Sequence, residues 1–403
     1  MNMYFVQEAV YFKYGDDYYS PRIRYDTYWT RYLNHFKKVH VLARVKEINS
    51  LPTNYHKVNG DKVQFIELPF YNGILGYYRS KKKLNSILFE NIDIKCAYVL
   101  RIPGPIGNLM ARNLNRKKVN YAVEVVGDPH EVAKYLNLPK LIRFVLMRYS
   151  LKEMRKVVKK SIAAIYVTQN ILQKKYPIQK GKISSSASNV ILYENDIINF
   201  KSKTDNIHYI SKRLLDNKKK PIRIGVLGML YSIKAPLGIL QAINHLLNKD
   251  LNLELYFAGD GPLREEIELT AKKLNISHRV FCLGNLASGD QVFSFLDSLD
   301  LYIQFSKTEG VPRAMLEAMA RGCPIVSSNV GGIPELLEDR FLVKSGDVAM
   351  LSNKIKSLLT NTEQYQSSIE QNIKTAKRFT LKNLNKKRYN HYSKVYKAFK
   401  KTN

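Results

Sequence analysis

Residues 301–335, LYIQFSKTEGVPRAMLEAMARGCPIVSSNVGGIPE, contain the pattern that decides the fold. An apolar run at 301–306 predicts a strand, and an amphipathic stretch at 312–321 predicts a helix. A second apolar run at 324–328 predicts another strand, which ends before the glycine turn at 331–332. A strand, a helix and a strand in this order predict a βαβ unit with a right-handed crossover in a parallel sheet.

The same alternation extends over the rest of the chain. Further apolar runs predict strands at 222–228, 253–259 and 279–283. Amphipathic stretches between them predict helices at 236–247, 262–274 and 291–296. The first half is less regular, and its predicted strands are at 38–42, 96–100, 121–126 and 162–167. We therefore predict an α/β protein of two Rossmann-like domains whose parallel sheets face a central cleft, because ligands bind at the carboxyl ends of parallel strands.

A polar stretch rich in Asn and Lys separates the two halves at 196–221, and we predict a linker there. The N-terminal domain then covers 1–195, and the C-terminal domain covers 222–375. The final residues, 376–403, are basic and carry Tyr and Phe at helical spacing. They predict a closing helix that packs back on the N-terminal domain.

The charge of the chain narrows the choice of partners. Lys and Arg together number 65 against 34 acidic residues, which gives a formal net charge of +31. Such a charge attracts phosphorylated substrates, an anionic membrane face or nucleic acid. No segment approaches the roughly 20 apolar residues of a bilayer span. The first residues lack the basic and apolar regions of a signal peptide, so we expect a cytoplasmic protein.

Four residues around the start of the predicted 312–321 helix favour a site for a phosphorylated ligand. The amides of Gly310 and Val311 lie at the helix N-terminus, where the helix dipole stabilises an anion. Glu309 precedes the helix and Glu317 lies inside it, and a carboxylate can accept two adjacent hydroxyls of a sugar or a ribose. The structural alternative is that Glu309 caps the helix and Glu317 belongs to its solvated face.

The stretch as a whole resembles the donor-site signature of retaining glycosyltransferase family 4, the glycosyl transferases of group 1. The family pattern is an E-x7-E pair, then L-E-A-M-A-x-G-x-P and V-G-G-x-P-E, and here these are Glu309 with Glu317, 316–324 and 330–335. The resemblance implies a GT-B fold. It also implies that Glu309 contacts hydroxyls of the transferred sugar, that Glu317 contacts the ribose, and that the amides at 310–311 meet the sugar or its phosphate.

Upstream elements of the family signature follow in the expected order. The loop that contains Gly228 is implied to border the donor, and Lys234 falls where the family has a diphosphate-binding Lys. Met229 and Ala235 stand where the family usually has an Arg and a Gly. The missing cation leaves two alternatives: either Lys234 and the helix dipole suffice, or Arg313 takes its place.

Three other segments are compared with the family. Residues 258–268 resemble its A-G-x-G-P element, whose glycines are expected to shape a turn rather than to bind ligand. Leu286 belongs to a loop implied to border the nucleotide base. The family often has a Gly-rich loop after its first strand, and in the corresponding region, 6–21, Gly15 is the only glycine. Because the resemblance is faint before residue 190, it does not define the acceptor.

A possible acceptor-side residue follows the predicted strand at 121–126. The family often has a His after such a strand, near the reacting carbon. Here Asp128 and His130 follow, and either side chain is a candidate for contact with the sugar or the acceptor. The structural alternative is a turn in which Asp128 and Pro129 simply start the next helix.

No metal ion and no cofactor are predicted. The sequence contains no D-x-D motif, with which enzymes of the other main glycosyltransferase fold hold a divalent metal on the diphosphate. We therefore expect a metal-independent enzyme in which Lys234 and a helix dipole neutralise the diphosphate.

Together these residues predict a hexosyltransferase-type glycosyltransferase. It would move a sugar from a nucleotide-diphosphate donor to a glycan or lipid-linked acceptor with retention of configuration, in the biosynthesis of a surface polysaccharide such as a capsule. Nucleic acid is not expected, because no recognition motif is present. The alternatives are another sugar-nucleotide enzyme of the same fold, such as an epimerase or a phosphorylase, and a non-catalytic anion-binding protein.

Residues 139–160 predict a helix with apolar residues at helical spacing and many basic residues, opposed by the single acid Glu153. This pattern is typical of a helix that lies on anionic lipid. It predicts a peripheral position on the inner face of the plasma membrane. The structural alternative is a helix packed on the core with a solvated basic face.

Overall fold

The computed structural model describes residues 1–21, 23–136, 138–200, 220–249 and 251–402. The chain divides into two compact units. Unit 1 is Met1–Ala187 together with Asn385–Asn403, and unit 2 is Ser188–Leu384. Of the linker predicted at 196–221, residues 201–219 lie outside the described residues.

Unit 1 contains a sheet flanked by helices. Its strands are β1 (Met3–Tyr14), β2 (Asp17–Ser20), β3 (Val39–Glu47), β4 (His56–Lys57), β5 (Val63–Leu68), β6 (Ala97–Ile102), β7 (Ala122–Val125), β8 (Ala163–Tyr166) and β9 (Ile183–Ser186). Its helices are α1 (Tyr25–Tyr28), α2 (Thr30–Leu33), α3 (Gly73–Glu90), α4 (Pro105–Arg116), α5 (Pro129–Ala133), α6 (Lys140–Lys160) and α7 (Ile171–Lys175). The strands predicted in the first half are confirmed as β3, β6, β7 and β8, and the helix predicted at 139–160 is α6.

Unit 2 contains a second sheet and its own helices. Its strands are β10 (Ile222–Leu227), β11 (Leu253–Ala258), β12 (Val280–Gly284), β13 (Leu301–Gln304), β14 (Ile325–Ser328) and β15 (Leu342–Val343). Its helices are α8 (Pro236–Leu247), α9 (Arg264–Lys273), α10 (Asp290–Asp297), α11 (Arg313–Ala320), α12 (Val348–Thr360) and α13 (Thr362–Lys377). The strands and helices predicted between 222 and 328 are all confirmed. A last helix, α14 (Leu381–Thr402), follows, and none of the helices in the described ranges is long and apolar enough to cross a bilayer.

The two sheets share one strand order. In unit 1 the parallel strands run β5–β3–β1–β6–β7–β8–β9, and in unit 2 they run β12–β11–β10–β13–β14–β15. In each sheet the chain moves outward from the first strand and then returns to its other side, so that β1 meets β6 and β10 meets β13. We call each of these places the switch point of its unit, because ligands of doubly wound sheets bind there at the carboxyl ends of the strands.

The region that corresponds to the family's Gly-rich loop, 6–21, is mostly strand in this chain. β1 pairs with β3 up to Val6, bulges, and pairs with it again from Val10 onward. It then turns at Gly15, whose φ of 61° suits glycine, into the antiparallel strand β2. The strand continues because β3 and β2 satisfy its backbone groups on both edges, which a sequence comparison does not reveal.

The end of the chain completes the core of unit 1. Tyr392, Val395 and Phe399 of α14 are fully buried and pack with the aromatic cluster around Trp29 and Tyr32. A buried polar centre lies among them, on the carboxylate of Glu124 in β7.

Glu124 accepts hydrogen bonds from the hydroxyls of Tyr32, at 2.7 Å, and Tyr392. It also forms an ion pair with Arg101 at 2.7 Å. Burial acts to raise the pKa of Glu124, but the charges of Arg101 and Arg31 outweigh it and the pKa is lowered. The carboxylate therefore stays charged and joins the last helix to two strands of the sheet.

His391, one residue before Tyr392, is only 1% exposed. Its Nδ1 lies 3.0 Å from Oγ of Ser185, and its Nε2 has no hydrogen-bond partner among the described residues. Burial lowers the pKa of His391 to about 4, because the charged ring would lose its hydration.

This shift predicts a loss of stability in mild acid. Below the ordinary histidine pKa of about 6.5 the unfolded chain takes up a proton that the folded chain refuses. The free energy of unfolding is therefore undiminished by this group above about pH 6.5. It decreases as the pH drops, by roughly 2 to 3 kcal/mol at pH 4.5. Urea unfolding from pH 7 to pH 4.5 measures this, and the loss should be smaller by that amount in His391→Gln. The exposed His245→Gln is the control, and equal pH dependence in His391→Gln and the parent would contradict the prediction.

Candidate functional site

A small pocket opens at the switch point of unit 2. It lies at the carboxyl ends of β10 and β13, and its walls include Gly228, Met229, Lys234 and Gln304. The remaining walls are apolar. The pocket therefore lies where a doubly wound sheet binds its ligand, and it offers one cation and few other polar groups.

The glycines of the 258–268 segment shape the wall of this pocket. A Cβ on Gly259 would lie 2.0 Å from the carbonyl oxygen of Gly228, and one on Gly261 would lie 2.9 Å from the backbone of Leu230. Both have positive φ, 140° and 159°. As expected from the sequence, these glycines permit the close approach of two backbone segments, because no larger residue fits.

A second glycine turn holds the loop that carries Glu309. A Cβ on Gly331, whose φ is 51°, would lie 1.7 Å from the carbonyl oxygen of Glu309. The amide of Gly332 donates a 2.7 Å hydrogen bond to the carbonyl of Gly310. The V-G-G-x-P-E part of the signature thus fixes the backbone on which Glu309 and Gly310 are placed.

The carboxylate of Glu309 is the centre of a polar network. Its Oε1 forms an ion pair with Lys234 and accepts hydrogen bonds from Nε2 of Gln304 at 2.8 Å and Oγ of Ser306 at 2.7 Å. The side chain is 12% exposed, and that of Lys234 is 30% exposed. Three donors on one oxygen fix the direction of the carboxylate.

Gln304 and Ser306 were not identified from the sequence. With Tyr302 they alternate along β13 and its end, so all three side chains lie on one face of the strand. The hydroxyl of Tyr302 donates to Oε1 of Gln304 at 2.7 Å, and Nε2 of Gln304 also donates to Ser306 at 2.7 Å. Burial, with the charges of Glu309 and Glu317, raises the pKa of Tyr302 well above its ordinary value, so its hydroxyl remains a donor. The sequence signal that could have identified them is the glutamine inside a predicted buried strand, because a buried amide requires a polar partner.

Glu317 differs from Glu309 in having unfilled hydrogen-bonding capacity. It lies on α11, half-buried, and no described residue forms a hydrogen bond or an ion pair with its carboxylate. Burial raises its pKa, Arg313 opposes this, and Asp196 adds to it. A carboxylate in this condition can accept ligand hydroxyls without breaking a contact of the protein.

The other predicted donor residues lie at two places. Gly310, Val311 and Arg313 surround the N-terminus of α11, where Pro312 is the N-cap and offers no side chain to cap the helix. Arg313 is exposed there. Leu286 follows β12, two strands away from β10, and does not line the described pocket.

In unit 1, Asp128 is held by the protein itself. It is the N-cap of α5 and accepts from the amides of His130 and Glu131 at 3.1 and 3.2 Å. Lys175 forms an ion pair with it at 2.6 Å, and the hydroxyl of Tyr176 donates to it. With four donors on an 8% exposed side chain, this geometry favours the helix-start interpretation for Asp128.

His130 lies in the charged group that surrounds this cap. Its Nδ1 is 3.2 Å from Nζ of Lys175 and 3.3 Å from Oε1 of Glu131, and its side chain is 19% exposed. Burial acts to raise the pKa of Glu131, but hydrogen bonds from Lys134 and Lys175 lower it to about 2. His130 is thus oriented by charged neighbours and remains partly accessible. Across the described ranges, no three His, Cys, Asp or Glu side chains are grouped so as to hold a metal ion.

Comparisons with known proteins identify the family and the fold of the chain. Residues 210–375 match the family described as glycosyl transferases group 1. Protein CapJ of Staphylococcus aureus is 31% identical over 395 residues, which are 95% of this chain and 93% of CapJ. A Campylobacter jejuni alpha-1,4-N-acetyl-D-galactosaminyltransferase, whose name specifies an undecaprenol-diphosphate-linked glycan, is 28% identical over 205 residues, 49% of this chain and 55% of its own.

Solved structures show the same fold at low sequence identity. HepE of Anabaena in complex with UDP superposes with a TM-score of 0.65 at 15% identity and covers 98% of this chain and 100% of HepE. Sucrose-phosphate synthase of Thermosynechococcus elongatus gives a TM-score of 0.68 at 13% identity, over 98% and 99% of the two chains. The α/β fold with two Rossmann-like domains is therefore the GT-B fold.

The turn that presents Lys234 contains a conformation that favours glycine. Ala235 has φ 48° and ψ 47°, in the left-handed region, and α8 begins at the next residue. The glycine usual in the family at this position is thus explained by the backbone. An alanine here costs about 1 to 2 kcal/mol.

We predict that Ala235→Gly raises the free energy of unfolding by up to about 1 kcal/mol, because the relief of strain exceeds the entropy cost of glycine. Urea unfolding measures the difference. Ala242→Gly, inside α8, is the control and should lower stability, since glycine weakens a helix interior. If Ala235→Gly is destabilised as much as the control, the left-handed turn before α8 is wrong.

Proposed function

The chain belongs to the glycosyl transferases of group 1, and from this we propose that it moves a sugar from a nucleotide-diphosphate donor to a glycan or lipid-linked acceptor with retention of configuration. The observation that carries the proposal is the Lys234–Glu309 pair at the switch point of unit 2, beside the uncapped start of α11. This arrangement offers a cation and helix amides to a diphosphate and a carboxylate to a sugar. We propose a hexose as the transferred group.

Lys234 exchanges partners when the donor binds. Without ligand it is paired with Glu309, and the donor diphosphate offers it a larger negative charge. Glu309 then keeps Gln304 and Ser306 as donors, so its carboxylate remains oriented toward the sugar hydroxyls. Lys234 thereby stabilises the leaving diphosphate without leaving Glu309 unpartnered.

The remaining donor contacts are assigned to the predicted residues. The amides near Gly310 and Val311 meet the sugar or its phosphate, and Gly228 lets the donor approach the backbone. Arg313, exposed on the first turn of α11, supplies the second cation that Met229 does not provide. Glu317 accepts the ribose hydroxyls, which its unfilled lone pairs support, and Leu286 borders the base.

The proposed chemistry uses one face of the sugar. The acceptor hydroxyl attacks the anomeric carbon from the side on which the diphosphate departs, and a phosphate oxygen takes its proton. No protein carboxylate is then needed as the base, and His130 orients the acceptor or the sugar. The work of the enzyme is to hold the sugar and to stabilise the departing charge.

Two measurements test these finer points of mechanism. The anomeric configuration of the product, read by proton NMR, should match that of the donor, and an inverted product would overturn retention. Turnover should be unchanged in excess chelator, because Lys234, Arg313 and the α11 N-terminus neutralise the diphosphate. Loss of activity that magnesium or manganese restores would overturn metal independence.

Sugar-nucleotide binding and transfer test the proposed function itself. A uridine or guanosine diphosphate sugar should raise the melting temperature, because it binds only the folded chain. Glu309→Gln should lower turnover by about 100-fold with near-normal nucleotide affinity, as expected for an interaction that strengthens in the transition state. Glu317→Gln should weaken nucleotide binding by roughly tenfold. Lys234→Ala should impair both turnover and nucleotide binding.

The control for these variants is Glu266→Gln, an exposed carboxylate on α9 that should change neither quantity. No stabilisation by any sugar nucleotide, or full turnover in Glu309→Gln, would contradict the proposal. Conversion of the donor to an epimer without an acceptor would identify the enzyme as an epimerase instead.

We further propose a lipid-linked acceptor and a place at an anionic membrane surface, in surface polysaccharide synthesis. The name of the Campylobacter relative, with its undecaprenol-diphosphate-linked glycan, supports a lipid carrier. The difference in burial between the two halves of α6 supports contact with a membrane. The second half buries Met154, Val157 and Val158, whereas the first half exposes Leu141, Ile142, Phe144, Val145 and Tyr149.

Exposed apolar side chains also begin α3, namely Ile74, Leu75 and Tyr78. Arg148 lies over the ring of Phe144, with its guanidinium carbon 5.5 Å from the ring centre. Leu75 and Leu141 are 75% and 76% exposed, which is unusual for leucine in a soluble unit. Apolar residues flanked by basic ones suit the headgroup boundary of an anionic bilayer.

We predict that the triple variant Leu141→Gln, Phe144→Gln, Val145→Gln is released from phosphatidylglycerol vesicles at moderate salt. Removing Arg148, Lys152 and Lys156 should also weaken binding, by about 1 kcal/mol for each charge. Sedimentation with vesicles measures both. The matched control replaces Leu269 and Met350, exposed apolar residues of unit 2, with Gln. Equal sedimentation of the triple variant and the parent would show that the first half of α6 is only a solvated face.

A further inference from the structure

The carboxylate of Glu8 occupies the switch point of unit 1. β1 pairs with β6 only through Val6, and Glu8 lies in the irregular stretch that follows, between Val6 and Val10. Oε2 of Glu8 accepts from the amide of Ile106, in the first turn of α4, at 3.2 Å. Glu8 therefore caps a helix that begins about 100 residues later in the chain.

Glu8 is fixed from three sides. The hydroxyl of Tyr71 donates to Oε1, and Nε of Arg44 lies 3.6 Å from the same oxygen. Arg44 also donates to the carbonyls of Glu8 and Tyr71, at 2.6 and 2.8 Å, which holds the bulge in place. A Cβ on Gly104 would lie 3.0 Å from Cβ of Glu8, so a larger residue there would press on the Glu8 side chain.

The corresponding place in unit 2 is arranged differently. α4 follows β6 as α11 follows β13, and each helix starts at the switch point of its unit. The N-cap of α11, Pro312, provides no capping side chain, whereas the start of α4 receives the charge of Glu8. Each switch point thus carries a carboxylate, but only Glu8 occupies the helix amides that a phosphate group would use, whereas Glu309 leaves the start of α11 open.

We propose that Glu8 is a specificity-determining residue, which excludes phosphate from the switch point of unit 1 and reserves it for uncharged hydroxyls of an acceptor sugar. The assignment to an acceptor rests on the proposed function. The physical basis is independent of it, because a phosphate here would have to displace Glu8 or lie against its negative charge. The 26% exposed carboxylate retains lone pairs that can accept hydroxyl donors.

Phosphate binding tests the proposal without any glycosyl transfer. In chains that already carry Lys234→Ala, which weakens the proposed anion site of unit 2, we compare Glu8 with Glu8→Ala and Glu8→Gln. Melting temperatures are measured in inorganic phosphate and in sodium chloride of equal ionic strength. Glu8→Ala should gain a phosphate-specific rise of about 2 to 4 °C that the chain with Glu8 lacks, because Arg44, Tyr71 and the Ile106 amide are freed to hold the anion.

Glu67→Ala is the matched control. Glu67 also binds a tyrosine hydroxyl and a cation, Tyr18 at 2.7 Å and Lys13 at 3.0 Å, but it does not contact a helix start. If Glu8→Ala fails to fold in every buffer, Glu8→Gln decides, since it removes the charge and keeps the volume. The proposal is overturned if neither Glu8 variant responds to phosphate more than its parent, or if Glu67→Ala responds equally. A failure of sugar-nucleotide binding would overturn the proposed function and leave this result intact.

Discussion

The ion pair between Lys234 and Glu309 links the two strand ends that border the switch point of unit 2. Lys234 arrives from the loop after β10, and Glu309 from the loop after β13. Neither position is set by the side chains alone, because glycine turns at 259–261 and 331–332 press against both loops. Gln304 and Ser306, at the end of β13, donate hydrogen bonds to the carboxylate of Glu309. The signature residues outside the pair thus serve mainly to place two opposite charges at one sheet edge.

Much of this arrangement could be predicted from the sequence, because parallel strands that are buried on both faces have nearly continuous apolar sequences. β10, β11, β13 and β14 were predicted to within two residues for that reason. The bulged β1 was not, because its second half depends on pairing with β2 and β3 rather than on its own pattern. Gln304 was not identified for a related reason. The role of a polar side chain in a buried strand cannot be predicted until its hydrogen-bond partner is known.

The residues of unit 1 show where sequence patterns stop being informative. Asp128 and His130 are two positions apart in the sequence. The carboxylate of Asp128 is bound by Lys175 and Tyr176, which lie more than 40 residues further along the chain, whereas His130 contacts only Lys175 of these two. In α6 the apolar periodicity predicted one helix, yet only its second half is buried. Periodicity indicates a face, but burial depends on what the rest of the fold places against that face.

The position of α14 has a consequence for the order in which the protein is made. Residues 188–384 are contiguous, so every residue of unit 2 has been synthesised before the ribosome reaches 385. The synthesis of unit 1 starts first, but Tyr392, Val395 and Phe399 are absent until the ribosome has passed residue 384. The aromatic cluster of unit 1 and the contacts of the Glu124 carboxylate are therefore incomplete until α14 has been synthesised. The unit whose synthesis starts first can therefore complete its core only after all of unit 2 has been synthesised, which prolongs the time in which its apolar surface needs protection.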